Sequence, residues 1–324
     1  MNLLLSCIGK RGYIADYFRE VLPPGSRIIG TSNTPWTPGF SRCDEAVILP
    51  PLDSDAYVPA LLDECSRRKV SGLLSMFDPD VRRLAPHRAD LLARGVVPVL
   101  PAERAATIAF DKMETHRFLS AQGVLTPETT ETFGAAMDGL REGRLAFPLI
   151  VKPRFGFGSA NTFLARSENE LRVFFDYAPG MIVQQFVEAE ALNVDGLGSL
   201  EAEPVSVVPW RKWLSTLGET ERAETVECSE LVRMAEELVR SVGIIGPFDG
   251  DFFRDSSGRL WVLELNLRFG GGYPVSHLAG ADFPRLIVDM IRGKQVSNSA
   301  PYYKPGVTMM KRLVPIPGPS KEES

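Results

Sequence analysis

Five side chains able to bind metal or phosphate crowd into one short stretch, PFDGDFFRDSSGRLWVLELNLRFGGG, at residues 247–272: Asp249, Asp251, Glu264, Asn266 and Arg268. An apolar strand around Phe248, Phe252 and Phe253 runs into the turn Asp255-Ser256-Ser257-Gly258, and a second strand returns over Leu260 to Leu265. Strand side chains alternate between faces. Glu264, Asn266 and, if the chain stays extended, Arg268 therefore project one way, while Asp249 and Asp251 share one face of the partner strand. Oxygen ligands of this type suit Mg²⁺, which takes one or two carboxylates together with waters and substrate phosphates.

Groups suited to phosphate lie earlier in the chain. The run Phe147 to Val151 reads as a strand that delivers Lys152, followed by Arg154-Phe155-Gly156-Phe157-Gly158-Ser159 and a return strand over Thr162 to Ala165. Two glycines let the backbone approach a phosphate and aim its N–H groups, with the lysine charge at the loop base. Asp111 and Glu114 form a capping box for a helix carrying Met113, Phe118 and Leu119, which puts Lys112 in a first turn where the dipole favours anions. Met181 to Val187, MIVQQFV, is an apolar strand with an amide pair, Gln184 and Gln185, able to face a nucleobase edge. Val205 to Val208 is a further strand leading into Pro209-Trp210-Arg211-Lys212, a candidate phosphate clamp.

The elements that must position these groups are short and regular. Leu3 to Ile8, Arg27 to Thr31, Glu45 to Leu49, Gly72 to Met76 and Val96 to Leu100 read as strands, with helices over Tyr13 to Val21, Ala56 to Arg67 and Arg82 to Arg94. Such alternation implies a parallel sheet in about the first hundred residues. Its turn Gly9-Lys10-Arg11-Gly12 lacks the full dinucleotide spacing, whereas Asp78 follows a strand at the end where parallel sheets place ligands. Further on, helices are expected over Ser229 to Val242 and after the cap Asp282, and a last strand over Val307 to Val314.

With 324 residues, 44% hydrophobic and 24% charged, the chain has room for two or three domains. A net charge of −5 provides no basic footprint for nucleic acid. The four cysteines, Cys7, Cys43, Cys65 and Cys228, show no zinc spacing and are expected to be reduced. No window approaches a membrane span, and the short apolar start before Lys10 reads as a buried strand, so a soluble, cytoplasmic protein is expected.

In order, the chain presents DKMETHRFLSAQGVLTPET, FPLIVKPRFGFGS, IVQQFVEAEALNVDG, VVPWRKWLSTLGETERAET and FDGDFFRDSSGRLWVLELNLRFGGGYPVSHLAGADF. That succession resembles the ATP-grasp superfamily, in the branch similar to the carbamoyl-phosphate synthetase large subunit and the pyrrolysine-pathway ligase. The resemblance implies an α/β protein in three parts. A Rossmann-like pre-ATP-grasp domain takes residues 1–102, a small ATP-grasp subdomain with a Gly-rich loop 103–180, and a large subdomain with the metal site and tail 181–324.

It also implies site roles. Lys112 and Lys152 correspond to lysines that contact ATP phosphates, and Gly156, Gly158 and Ser159 to the loop that covers them. Gln184, Gln185, Phe186 and Val187 fall on the adenine-binding linker, and Asp251, Glu264 and Asn266 on the Mg²⁺ ligands, with Mn²⁺ as a substitute. Arg268 matches the arginine facing an acyl phosphate, and Arg211 or Lys212 the cation near the triphosphate. The chain departs from the family pattern at Gln184 and Gln185, where glutamate is usual, and at Asn161, where a further glycine is common. At Ala191 it lacks the ribose-binding glutamate, a role left to Glu188 or Glu190.

The implied activity is ATP-dependent ligation of a small-molecule carboxylate to an amine, in a homodimer without nucleic-acid or membrane partners. A carbamoyl-phosphate-forming or kinase-like enzyme and a non-catalytic ATP-binding protein are the alternative readings. Contacts to the acid and amine are expected from loops of the first domain and near Tyr273 to His277, where His277 itself reads as a structural hydrogen-bonding residue.

Overall fold

The computed structural model of the protein describes residues 1–156, 160–216, 219–297 and 303–318. Its first sheet holds β1 (Asn2–Ser6), β2 (Arg27–Ser32), β3 (Glu45–Ile48), β4 (Val70–Ser75) and β5 (Val97–Pro98), all parallel in the order β3-β2-β1-β4-β5. The apolar run of β1 fits a strand covered on both faces. Leu4, with Ile29 and Leu73, packs toward helix Tyr57–Arg67, while Leu3 and Leu5 pack with Ile28 toward helix Gly12–Val21. The second face is closed by helix Phe283–Ile291, from the far end of the chain, whose Ile287 and Ile291 join that core. A linear division of the sequence assigns this helix elsewhere.

A small antiparallel sheet follows, ordered β6-β9-β7-β8 from β6 (Thr129–Thr130), β7 (Leu149–Pro153), β8 (Phe163–Ala165) and β9 (Met181–Gln185). It has its own core, in which Leu149, Val151 and Val183 meet Ala136 and Leu171 of two covering helices. The large sheet comprises β10 (Ala189–Gly198), β11 (Pro204–Thr216), β12 (Glu219–Thr225), β13 (Gly246–Asp255), β14 (Leu260–Asn266) and β15 (Thr308–Met310), antiparallel in the order β14-β13-β10-β11-β12-β15. Its apolar face packs on helix Ser229–Leu238, where Leu231, Ala235 and Leu238 meet Leu192, Val194, Phe248 and Phe252. A parallel domain followed by antiparallel sheets is the fold class the sequence led us to expect.

Three local expectations are corrected. β10, the central strand beside β13, is a strand the sequence does not announce, because its first residues, Ala189, Glu190 and Ala191, carry no strand-like alternation. The amphipathic helix from Ser229 is α-helical only to Leu238 and ends in a wider turn over Val239–Gly243. The last strand covers only Thr308–Met310, the three residues that pair with Glu224, Ala223 and Arg222 of β12.

β10 lies against β13 so closely at Gly196 that a Cβ there would stand 2.1 Å from the Phe248 ring. Gly196→Ala is therefore expected to destabilise the protein by about 1–3 kcal/mol through overpacking, read as a lower denaturation midpoint at unchanged slope. No helix among the described residues is long and apolar enough to cross a membrane. All four cysteines are free, with Cys65 and Cys228 buried.

Candidate active site

Register brings the acids together. Asp251 pairs with Glu264 across β13 and β14, and Asp249 pairs with Asn266. On the other side of β13, Asn193 of β10 faces Asp251 and Asp195 faces Asp249. The hairpin turn is fixed by Asp255, whose Oδ1 accepts from the Ser257 and Arg259 backbone N–H groups at 3.0 Å each. The result is a polar sheet face of two rungs, Glu264–Asp251–Asn193 and Asn266–Asp249–Asp195, while Phe248 and Phe252 serve the core behind it.

The small sheet places its lysine opposite this face. Lys152, at the end of β7 and 6% exposed, donates to Glu264 Oε1 at 3.1 Å. Lys112 Nζ lies 3.6 Å from the same oxygen and donates to the Gly156 carbonyl at 2.7 Å. Burial works against ionisation of Glu264, but Lys152 and Lys112 outweigh it and hold the carboxyl below its usual range. The Asp251 carboxyl is raised by burial, which Lys212, 3.9 Å away, and the Asn193 amide only partly offset. Asp249 is pushed up to about 7 by burial and by the neighbouring Asp251 charge.

Between the two sheets lies a cleft of about 270 Å³. Lys112, Lys152, Gly156, Lys212, Asp251 and Glu264 line its polar end, and Ile150, Gln184, Gln185, Phe186, Val187 and Phe253 its apolar end. A smaller adjoining recess is lined by Asp78, Lys112, Glu264 and Asn266.

Lys112 is set by its helix. Asp111 caps it, its Oδ1 accepting from Met113 N at 3.0 Å and Glu114 N at 3.4 Å, and both Asp111 oxygens also accept from Arg154 at 2.7 Å. The Glu114 carboxylate turns instead to Arg117, so only half of the expected capping box forms. Burial raises the Asp111 pKa, but Arg154 and the backbone donors prevail and depress it. A depressed folded pKa stabilises above the unfolded value, about 3.9, and that stability is lost as pH falls through the folded value. Asp111→Ala should cost about 1–2 kcal/mol at pH 7, and its stability gap to the wild type should close in unfolding curves taken below pH 4.

Several expected residues are placed differently. Neighbouring side chains on β11 point to opposite faces, so Lys212 enters the cleft while Arg211 pairs with Glu190 on the other side of the sheet. Of the two candidate clamps, only Lys212 is near the acids. Glu190 shares the face of Leu192 and pairs with Arg211, while Glu188, next to the cleft-lining Val187, is exposed. The amides of Gln184 and Gln185 are committed to Thr129 Oγ1 at 2.9 Å and to the Ala146 backbone at 2.8 and 3.1 Å. They brace the linker, and Gln185 Nε2 also donates to the Phe186 carbonyl at 2.8 Å.

Gly158 and Ser159 lie outside the described residues, whereas Asn161 adopts the left-handed conformation anticipated for it, with φ 55°. His277 stacks on Tyr17 with centroids 3.9 Å apart and meets the Tyr273 hydroxyl at 3.3 Å.

Arg268 is delivered by a turn rather than by extended strand, its N–H bonding the Asn266 carbonyl at 2.9 Å. Its Nε donates to Asp78 Oδ2 at 2.7 Å, and NH1 lies 3.9 Å from Asp249 Oδ2. Asp78 thus reaches the site through Arg268. Residues the sequence reading passed over also gather here. Asn193 and Asp195 alternate with Leu192 and Val194, a pattern that reveals them, and Asp195 is held well above its usual pKa by burial and by Asp249.

Residues 3–100 match the PylC-like N-terminal domain, and residues 109–272 match the ATP-grasp domain. The chain is 26% identical over 230 residues to a carbamoyl-phosphate synthase of Methanobrevibacter smithii, a match covering 67% of this chain but only 62% of that protein. It is 26% identical over 214 residues to a D-alanine–D-alanine ligase of Gloeobacter violaceus, covering 58% of this chain and 70% of that one. The ADP complex of N5-carboxyaminoimidazole synthetase from Staphylococcus aureus shares the fold with a TM-score of 0.75 at 17% identity, over 96% of this chain and 82% of that one. An L-amino acid ligase from Bacillus licheniformis does so with a TM-score of 0.69 at 20% identity, over 90% and 74%. Since the ATP-grasp match takes in just over half of the 324 residues, from before β6 to beyond β14, the chain belongs to the ATP-grasp family.

Proposed function

We propose that the protein is an ATP-dependent carboxylate–amine ligase that activates a small-molecule acid as an acyl phosphate and releases ADP and phosphate. The observation that carries this reading is the cleft in which Lys112, Lys152 and Lys212 meet Asp251 and Glu264 at one end, with an apolar end beside the Phe186–Val187 linker. Adenine fits the apolar end and the triphosphate the lysines. Asp251, Glu264 and Asn266 form an all-oxygen donor set with two carboxylates, which fits Mg²⁺ sharing phosphate oxygens. When bound, the ion would neutralise phosphate charge.

The chain's own part is electrostatic. Carboxylate and phosphate repel one another, and Lys152, Lys112 and Arg268 offset that repulsion as charge shifts onto the transferring phosphoryl group. The amine then attacks the acyl carbon, displaces phosphate and gives up a proton to form the amide. No side-chain nucleophile is required. Gly156 and the residues after it would close over the phosphates and keep water from the activated acid.

Purified protein incubated with ATP, Mg²⁺ and pools of acids and amines should form ADP and phosphate together with a condensed product by mass. AMP formation, or nucleotide binding without turnover under every pool, would overturn this reading. A homodimer is part of the proposal and is read by light scattering.

A further inference from the structure

Arg11 follows β1 at the crevice between β1 and β4, where the sheet reverses its strand order and ligands gather in folds of this type. Its NH1 donates to the Met76 carbonyl at 2.6 Å. NH2 lies 3.9 Å from Glu219 Oε1, too far for a hydrogen bond, and this is its one ion-pair contact among the described residues. Arg11 is only 15% exposed. Burial, and then the like charge of nearby Arg268, lower its pKa.

Glu219 is held from the opposite side by the C-terminal segment. Lys311, just beyond β15, donates to Glu219 Oε2 at 3.0 Å and to the Gly271 carbonyl at 2.5 Å, and stands 5.2 Å over the Tyr13 ring. The Tyr13 hydroxyl is buried without a partner. Gly271 packs so tightly that a Cβ there would lie 2.8 Å from Glu219 Oε2. Three cations from distant parts of the chain, Arg11, Arg268 and Lys311, thus surround a half-exposed carboxylate. Arg268 already has Asp78 and Lys311 has Glu219, while Arg11 is left with a loose contact.

The geometry points to a subsite in which Arg11 and Lys311 hold a second anionic group of the acid substrate, a carboxylate or a phosphate, and Glu219 occupies that place until the substrate displaces it. This inference rests on the ligase reading, with Arg268 facing the reacting carboxylate. The substrate acid is then at least dianionic. An acid with a neutral group at the same position offers no charge to replace Glu219 beside Arg11 and Lys311, so it forgoes the charge-assisted bonds that discriminate strongly between isosteres.

The test is calorimetric titration of the full chain, saturated with Mg²⁺ and a non-hydrolysable ATP analogue, with matched pairs: glutamate and glutamine, succinate and succinamate, O-phosphoserine and serine. In at least one pair the doubly charged member should bind ~10-fold or more tightly. The carboxylate and phosphate pairs distinguish the two anion types. Arg11→Gln and Lys311→Met should erase the preference. Glu219→Gln, which removes the competing carboxylate, should tighten binding of the charged member, an outcome that a merely structural Glu219 would not produce. Equal binding within every pair, no binding of any member at millimolar concentration, or weaker binding to the Glu219→Gln protein would overturn the subsite. Parallel ADP release keeps the two readings apart, because tight binding of a charged member that never supports turnover with ATP would count against the ligase and leave the subsite standing.

Discussion

Lys152→Met should lower ATP turnover by ~10²-fold or more, the range for loss of one preorganised charge from a site that stabilises a developing anion. Lys152 is 6% exposed, and its ammonium, 3.1 Å from Glu264, is aimed into the cleft by β7. Water cannot replace a charge at so buried a position. Glu264→Gln should produce a loss of similar size by a different route, since it removes one of the two carboxylates proposed to hold Mg²⁺ and leaves both lysines without their anion. The variants are distinguished by raising Mg²⁺, which should recover part of the activity of Glu264→Gln and none of that of Lys152→Met. Fold integrity is checked by thermal unfolding, because Lys112 still faces Glu264 at 3.6 Å when Lys152 is removed. Near-normal turnover of both variants would remove these residues from the chemistry.

Arg268→Ala is expected to reduce kcat by ~10²–10³-fold, with a much smaller change in KM for ATP, the pattern for a contact made in the transition state. Burial disfavours its charge, but Asp78 and Asp249 overcome that effect and raise its pKa, so it is a permanent cation at the junction of the parallel sheet and the face that carries Asp249 and Asp251. Arg268→Lys should remain impaired, because an ammonium cannot bond Asp78 at 2.7 Å and the Phe269 carbonyl at 2.9 Å with the same fork. Asp78→Asn should lower kcat ~10-fold by loosening that fork, and Asp78→Glu should restore part of it. If Asp78→Asn instead raises KM for ATP and leaves kcat intact, Asp78 does not act through Arg268.

The turn that carries Asp78 is itself braced. Asp80, fully buried and raised in pKa by that burial, accepts from Tyr57 at 2.6 Å and Ser75 at 2.7 Å. These bonds tie helix Asp78–Leu84 to the end of β4. Orientation of Arg268 thus depends on packing within the first sheet, more than 180 residues away in the chain.

Local pattern made much of this protein legible. Apolar runs punctuated by turns disclosed the strands of the parallel sheet, and two-residue alternation in FDGDFF and LELN put Asp249 with Asp251 on one strand face and Glu264 with Asn266 on another. The Asp111 cap over Lys112 was legible for the same reason, since capping and alternation depend on residues within a turn or two.

Pairings between distant segments were decided only by the tertiary structure. It selected Lys212 over Arg211, committed the Gln184 and Gln185 amides to Thr129 and Ala146, joined Asp78 to Arg268, and brought Lys311 from the far end of the chain to Glu219 beside Arg11. Side-chain partnership across a fold depends on sheet order, register and burial of charge, and none of these is encoded in the spacing of neighbours along the chain.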